Sequence, residues 1–299
     1  MTLLRAATLA GVLGAIGCAS RPTAGPTASA PERPVVLTYL GVAGWRIDDG
    51  GHVLLIDPYV SRLDVADPDA LLTPDDGRIA HYAPTRADAI LVTHSHYDHL
   101  LDVPGFARRT GATIVGTEST LNVARAGGIP ESRLALATGG ATFSLGPFSV
   151  RALRGLHSAI GAPNAPIPRA VTLPMTAGAY AEGGTLQYLV RVGGRSILFV
   201  GTANLIDAEL AGLVPDVAVV ATGARDKVPD YACRLMRALG RPPLVLTNHF
   251  DAHWQPLGPR QLEVGDEGLA SLARFADEIH ACAPQTRVVV PNHLAPFAL

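Results

Sequence analysis

From Val35 onward the chain alternates short apolar runs with clusters of Gly, Pro, Asp and Asn, and most of the runs are too short for helices. Val35 to Leu40, Gly41 to Ile47 and His52 to Ile56 read as three strands, the last two joined by the hairpin signal Asp48-Asp49-Gly50-Gly51. Ser61 to Arg86 is rich in Asp, Pro and Leu without clean periodicity and reads as a surface excursion. Ala89 to Val92 predicts a buried strand. It is followed by a short helix over Val103 to Thr110, a strand over Ala112 to Gly116 and a helix over Thr117 to Ala126. Ala141 to Leu145 and Pro147 to Leu153 predict one hairpin, and Leu186 to Val192 and Arg195 to Val200, joined by Gly193-Gly194, a second. Between them, Ala159 to Gly184 carries four prolines and almost no charge. A loop of that length inside one domain is usually functional, and it reads as the lid or wall facing a substrate. Strands over Pro215 to Ala221, Pro243 to Thr247 and Arg287 to Val290 are interleaved with helices over Asp230 to Leu239, closed by Gly240, and Glu267 to Cys282. Such a rhythm places strands inside and helices outside, an α/β domain.

Ahead of that domain the pattern changes. Met1 to Gly17 carries Arg5 and then an apolar run too short to span a bilayer comfortably, which reads as a signal peptide over residues 1–18. Its end, Leu13-Gly14-Ala15-Ile16-Gly17-Cys18, is similar to a bacterial lipoprotein box. That similarity makes Cys18 the lipidated residue of an exported protein anchored to a bacterial membrane in the cell envelope; the alternative is an ordinary signal peptide cut slightly later. Residues 19–34, rich in Ala, Ser, Thr and Pro, have too little apolar bulk to offset their ordering entropy and read as a disordered tether. Residues 35–299 suffice for one domain with a full core. A net charge of −2 and a charged fraction of 17%, with no basic stripe, leave no electrostatic case for nucleic-acid binding. Of the three cysteines, Cys233 and Cys282 fall outside the leader, both in predicted helices; a disulfide and two isolated thiols both remain open.

Chemistry concentrates after the strand ending at Val92, in Thr93-His94-Ser95-His96-Tyr97-Asp98-His99-Leu100. The chain has ten histidines, and three of them fall within six positions together with an aspartate. Imidazole and carboxylate are ligands that Zn²⁺ prefers, and His94 and His96, two apart in an extended segment, project to one side and can grip one ion. Asp98 and His99 point onward to a second position.

His-x-His-x-Asp-His after an apolar strand resembles the metallo-β-lactamase superfamily of metallohydrolases. The resemblance implies a four-layer αββα sandwich, the metallo-β-lactamase fold, with one or two metal ions on its rim: Zn²⁺, with Mn²⁺ or Fe as options. It assigns His94 and His96 to the first ion and Asp98 and His99 to the second, with Asp98 as the catalytic carboxylate. His157, one hairpin beyond the motif, stands where the family has its third ligand to the first ion. His249, just past a strand and accompanied by Asp251, is preferred as the last ligand to the second; His293, near the chain end where fraying is common, is its rival. Asp57, at the end of the third strand, either orients the metal-binding loop or simply forms a turn before Pro58. Where the family usually has Gly-Asp, with the aspartate bridging both ions, this chain has Gly201-Thr202. Two divalent cations roughly 3.5 to 4 Å apart repel strongly without anions between them. The second ion is therefore expected to be weakly held unless Asn204, Asp207 or Asp251 substitutes, or the site takes one ion only. His52, His81, His253 and His280 read as ordinary surface or core residues.

No activated nucleophile is evident, since there is no Gly-x-Ser-x-Gly elbow and neither remaining cysteine has a histidine beside it. The attacking group is then water, whose pKa a bound metal lowers toward about 7. The sequence thus reads as a metal-dependent hydrolase of a small-molecule ester, lactone or phosphodiester, closer to the lactonase and phosphodiesterase-like branch of the family. The alternative is a catalytically degenerate, surface-tethered binding protein of the same fold, marked by Thr202.

Overall fold

Successive residues of a strand face opposite sides, so a strand that is apolar at every position must be covered on both. The computed structural model, which describes residues 34–161, 164–258 and 264–299, follows that rule. The expected leader, and all of the expected tether except Pro34, lie outside the described residues.

The first sheet holds β1 (Val36–Gly41), β2 (Gly44–Asp48), β3 (Val53–Ile56), β4 (Ala89–Leu91), β5 (Thr113–Gly116) and β6 (Leu134–Leu136). Around it in sequence lie α1 (Asp76–Tyr82), α2 (Tyr97–Leu100), α3 (Val103–Thr110) and α4 (Glu118–Ala126). The second sheet holds β7 (Thr142–Leu145), β8 (Phe148–Arg154), β9 (Leu186–Val192), β10 (Arg195–Val200), β11 (Val217–Ala221), β12 (Leu244–Asn248) and β13 (Arg287–Val289). Its helices are α5 (Asp207–Leu210), α6 (Tyr231–Ala238) and α7 (Gly265–Cys282). A last strand, β14 (Pro296–Ala298), returns to the first sheet. Strand order is β14-β1-β2-β3-β4-β5-β6 in one sheet and β13-β12-β11-β10-β9-β8-β7 in the other.

Alternation assigns the layers. Leu54, Ile56, Ala89, Leu91, Ile197, Phe199, Val217, Val219 and Leu246 share one apolar cluster between the sheets. Their neighbours Leu55, Ile90 and Val92 pack outward with Ile79, Phe106 and Val123 of the helices on the first sheet. Leu198, Val200, Ala218, Val220 and Val245 pack outward with Leu235, Phe275 and Ile279 on the second. Helix, sheet, sheet and helix make the expected four layers.

Local signals explain most element ends. Thr117 caps α4 by accepting from the Thr120 N–H, and α3 stops at Gly111, whose φ of 77° suits a residue without Cβ. The β9–β10 turn sits on Gly193 and Gly194, both at positive φ. Three expectations need correction. Ser61 to Arg86 is no mere surface excursion: Ser61 and Arg62 are buried, and α1, capped by Asp75, sends Ile79 into the core. β6, the short apolar run Leu134-Ala135-Leu136, is not among the expected strands, yet it pairs with β5 through Ile114↔Leu134. The chain end does not fray, because β14 pairs antiparallel with β1 through Val36↔Ala298.

Cys233 of α6 and Cys282 of α7 are disulfide-bonded, with Cα atoms 5.7 Å apart. Among the described residues no helix is long and apolar enough to cross a membrane. The link closes a loop of 49 residues, for which restriction of the unfolded chain gives roughly 2–4 kcal/mol. Urea denaturation with and without dithiothreitol is expected to show a loss of that size, and Cys233→Ser/Cys282→Ser should match the reduced protein and be insensitive to reductant.

Candidate metal centre

The site forms where parallel strands end. β3 runs parallel to β4, and β10, β11 and β12 run parallel to one another, so the segments leaving their carboxyl ends converge on one rim. This is where open α/β sheets place ligands. β4 ends into Thr93 and His94, and α2 begins at Tyr97, so the motif is half extended and half helical. His94 and His96 leave an extended segment, while Asp98 and His99 sit on the helical turn.

Two groups of donors result. Those of His94, His96 and His157 lie within 4.8 Å of one another, as do those of Asp98, His99 and His249. In the first group His94 Nε2 faces His96 Nδ1 at 3.1 Å, and the His157 ring centroid lies 4.8 and 4.6 Å from those of His94 and His96. In the second, His249 Nε2 stands 3.3 Å from His99 Nε2 and 3.4 Å from Asp98 Oδ2. The His94 and His99 rings are 3.8 Å apart, so the groups adjoin. Such clustered imidazole nitrogens and one carboxylate fit divalent cations of the zinc type.

Charge differs between the groups. Burial, then the neighbouring imidazoles, pushes His94 well below the ordinary histidine range, and the same causes bring His157 down to about 4. Both rings are therefore neutral, as metal ligation requires. Burial alone would raise the Asp98 carboxyl, but His99 and His249 outweigh it and hold it well below the usual carboxylate range. Burial opposes charge on His99, yet Asp98 and Asp57 together raise its pKa.

Asp57 fastens the motif loop. Its Oδ1 accepts from Thr93 N at 2.7 Å, its Oδ2 from Thr93 Oγ1, and Oδ2 stands 2.8 Å from His99 Nδ1. That carboxylate orients His99 so that Nε2 faces Asp98 and His249. Asp57 is fully buried at a φ of 39°, an uncommon conformation for a residue with a Cβ. At Gly201 an added Cβ would lie 2.5 Å from Thr93 Oγ1, so glycine lets β10 end against the motif loop.

Thr202, at the usual position of the bridging carboxylate, accepts from Ser158 N at 3.0 Å, and Asn204 Nδ2 donates to the His157 carbonyl at 2.9 Å. Both brace the segment that carries His157, and neither supplies a donor to the two groups. Asp207 forms an exposed ion pair with Arg234 at 2.7 Å and does not reach back. Asp251 is likewise turned away: its Oδ2 meets Arg62 Nη2 at 2.7 Å and His293 Nε2 at 3.1 Å. His293 is thereby held outside both groups, by its partner and not by fraying. Among the described residues, Asp98 is the single carboxylate of the second group.

Sequence reasoning passed over several residues. Arg62 had no motif to mark it, and Thr93 carried its signal only through position beside His94. His253 is not a bland surface residue, for its Nε2 lies 2.8 Å from Tyr97 Oη, beside Asp98; its place four residues after His249 was the available hint. A cavity of about 390 Å³ adjoins the first group, lined by Leu156, His157, Asn164, Glu182 and Asn204. The expected lid supplies two of these residues and is pinned to α4, with Ile167 N donating to Ser119 Oγ at 3.0 Å. A larger cavity of about 760 Å³, between α6 and α7, touches none of the six donors, and its Arg225 is engaged by Glu278 and Ser271.

A family profile described as the beta-lactamase superfamily domain matches residues 52–250. A UPF0173 metal-dependent hydrolase of Cupriavidus taiwanensis is 28% identical over 273 residues, covering 86% of this chain and 90% of the relative. One from Pyrobaculum aerophilum is 32% identical over 205 residues, covering 68% and 80%. Among solved structures, the metallo hydrolase Igni18 of Ignicoccus hospitalis superposes with a TM-score of 0.58 at 18% identity, over 89% of this chain and 98% of that one.

Removing the Asp57 carboxylate would orphan the buried Thr93 N–H and hydroxyl and the Nδ1 face of His99. Asp57→Ala is expected to lower the unfolding free energy by roughly 3 kcal/mol. Urea denaturation followed by tryptophan fluorescence measures this, and a loss below about 1 kcal/mol would contradict the assigned role.

Proposed function

The chain belongs to the beta-lactamase superfamily of metal-dependent hydrolases, and we propose that it cleaves a neutral ester or lactone in the cavity beside His157, with two metal positions on the rim. The observation that carries this reading is the assembly of six donors into two adjoining groups from segments far apart in sequence. His94, His96 and His157 would hold one ion and Asp98, His99 and His249 the other; zinc suits this nitrogen-rich set, with Mn²⁺ or Fe as the options. Bound there, the ions would lower the pKa of water toward about 7 and polarise the scissile oxygen.

The chain's own residues do the rest. Asp57 keeps a proton at His99 Nδ1, leaving Nε2 as the donor. Asp98 stays anionic between His99 and His249 and is the group placed to take a proton from an attacking water. Thr202 and Asn204 brace the His157 segment. Among the described residues the cavity lining includes Glu182 but no lysine or arginine. Arg169, the lid's one basic residue, lies on the surface with Glu131 and Glu118. An anionic phosphodiester would meet no cationic side chain there, which favours ester and lactone over phosphodiester.

Elemental analysis of the full chain, purified without added metal or chelator, is expected to give close to two ions. His96→Ala should bind close to one ion and lose hydrolysis across a panel of esters, lactones and phosphodiesters; full activity in that variant would refute the assignment. Export and anchoring at Cys18 are part of the same proposal, supported by the leader and by the lipobox-like Leu13 to Cys18. Radiolabelled palmitate is expected to enter the chain in a bacterial host and not its Cys18→Ala variant.

A further inference from the structure

One donor of the second group, His249, does not come from the motif loop. It follows β12, has a φ of 49°, and its side chain remains 29% exposed. Asp57, which grips the motif, does not touch it. What fixes its segment is a buried polar network. Asp251 Oδ1 accepts from Val42 N at 2.9 Å and Tyr39 Oη at 2.6 Å, and Oδ2 accepts from Arg62 Nη2 at 2.7 Å. Arg62 also donates from Nε to the Gln255 carbonyl at 2.7 Å and from Nη2 to the Ala252 carbonyl at 2.5 Å. Val42, tied to Asp251 through its N–H, presents its carbonyl to His249 N at 2.6 Å. The His249 backbone is thus bonded to residue 42, residue 42 to the carboxylate of Asp251, and that carboxylate to an arginine that grips 252 and 255.

Both charged side chains of this pair are fully buried. Burying charges is costly, and a buried pair adds little stability over well-packed apolar side chains; a use attested elsewhere is to specify one arrangement. Here the arrangement specified is the approach of His249 to Asp98 and His99. Gly41 is shaped to it: a Cβ there would stand 2.7 Å from Arg62 Nη1 and 3.0 Å from Asp251 Oδ2. The second position lacks a bridging carboxylate, so its affinity depends heavily on how well its three donors are pre-placed.

We propose that Arg62 and Asp251 are positioning residues for the second metal position, their buried pair setting where His249 stands and so how tightly the second ion is held. The proposal rests on the two-position reading above. Zinc is titrated calorimetrically into the metal-stripped full chain, as wild type, Arg62→Lys and Asp251→Asn, each also in a His96→Ala background that isolates the second position. Both variants are expected to weaken the second position roughly 10- to 100-fold, and to leave the His94–His96–His157 position within about twofold. Equal weakening of both positions, or an unchanged second one, overturns the proposal. Lysine keeps the charge but cannot reach all three acceptors, so Arg62→Lys carries the test should Asp251→Asn not fold. A wild type that takes up one ion removes the two-position reading and this proposal with it; two ions with unaffected variants remove this proposal alone.

Discussion

The buried carboxylate of Asp57 is the contact on which the rest of the site depends. It joins the end of β3 to the loop leaving the adjacent parallel strand β4, taking the Thr93 N–H, the Thr93 hydroxyl and the Nδ1 edge of His99. A loop with that many polar groups could not turn inside the protein without partners, because each unsatisfied group would cost about 1–3 kcal/mol. Supplying them with one anion also decides which way the histidines face. His99 is turned by it directly, and His94 follows Thr93 by one residue. The left-handed backbone at Asp57 is strain held in place by those bonds and by close packing.

From that anchor the two donor groups diverge. The first is built from imidazoles alone, and burial and neighbouring imidazoles keep His94 and His157 neutral. The second carries the one carboxylate and depends on a histidine from a separate segment. Thr202 deepens the difference: the side chain at the usual bridging place is a hydroxyl that supports the His157 backbone. The first position is therefore braced from Asp57, Thr202 and Asn204, whereas the second relies on Asp57 and on the Arg62–Asp251 pair. On the proposal of two metal positions, unequal affinities follow from this architecture with no change to any of the six donors.

Much of this was legible in the residues. The apolar runs located most strands, because a strand buried on both faces has no polar positions to blur it. The density of histidine in the motif marked the place where the two donor groups assemble; the rhythm of elements pointed to an α/β domain, and the family resemblance implied the four-layer sandwich. What escaped notice has physical reasons. β6 and β14 are three-residue strands stabilised by pairing, with little intrinsic pattern. Helix α1 buries a single residue, Ile79, and so shows no apolar face to read. The disulfide could be posed but not decided, since Cα separation is a tertiary quantity.

By itself the sequence determined which chemistry is available: histidines and an aspartate after a buried strand, one weakly charged domain behind a leader-like segment, and a missing carboxylate after Gly201. Only the tertiary structure decided who meets whom. Asp251 lies two residues from His249, and spacing alone made it a plausible ligand; the fold instead buries it against Arg62, 189 residues away, where a guanidinium compensates its charge. His293 and His249 were equivalent as histidines beyond strand ends, and one hydrogen bond to that same carboxylate separates them. Side-chain type is written in the chain, but the partner that makes a buried charge tolerable is set by strand order and register, which bring distant segments to one rim.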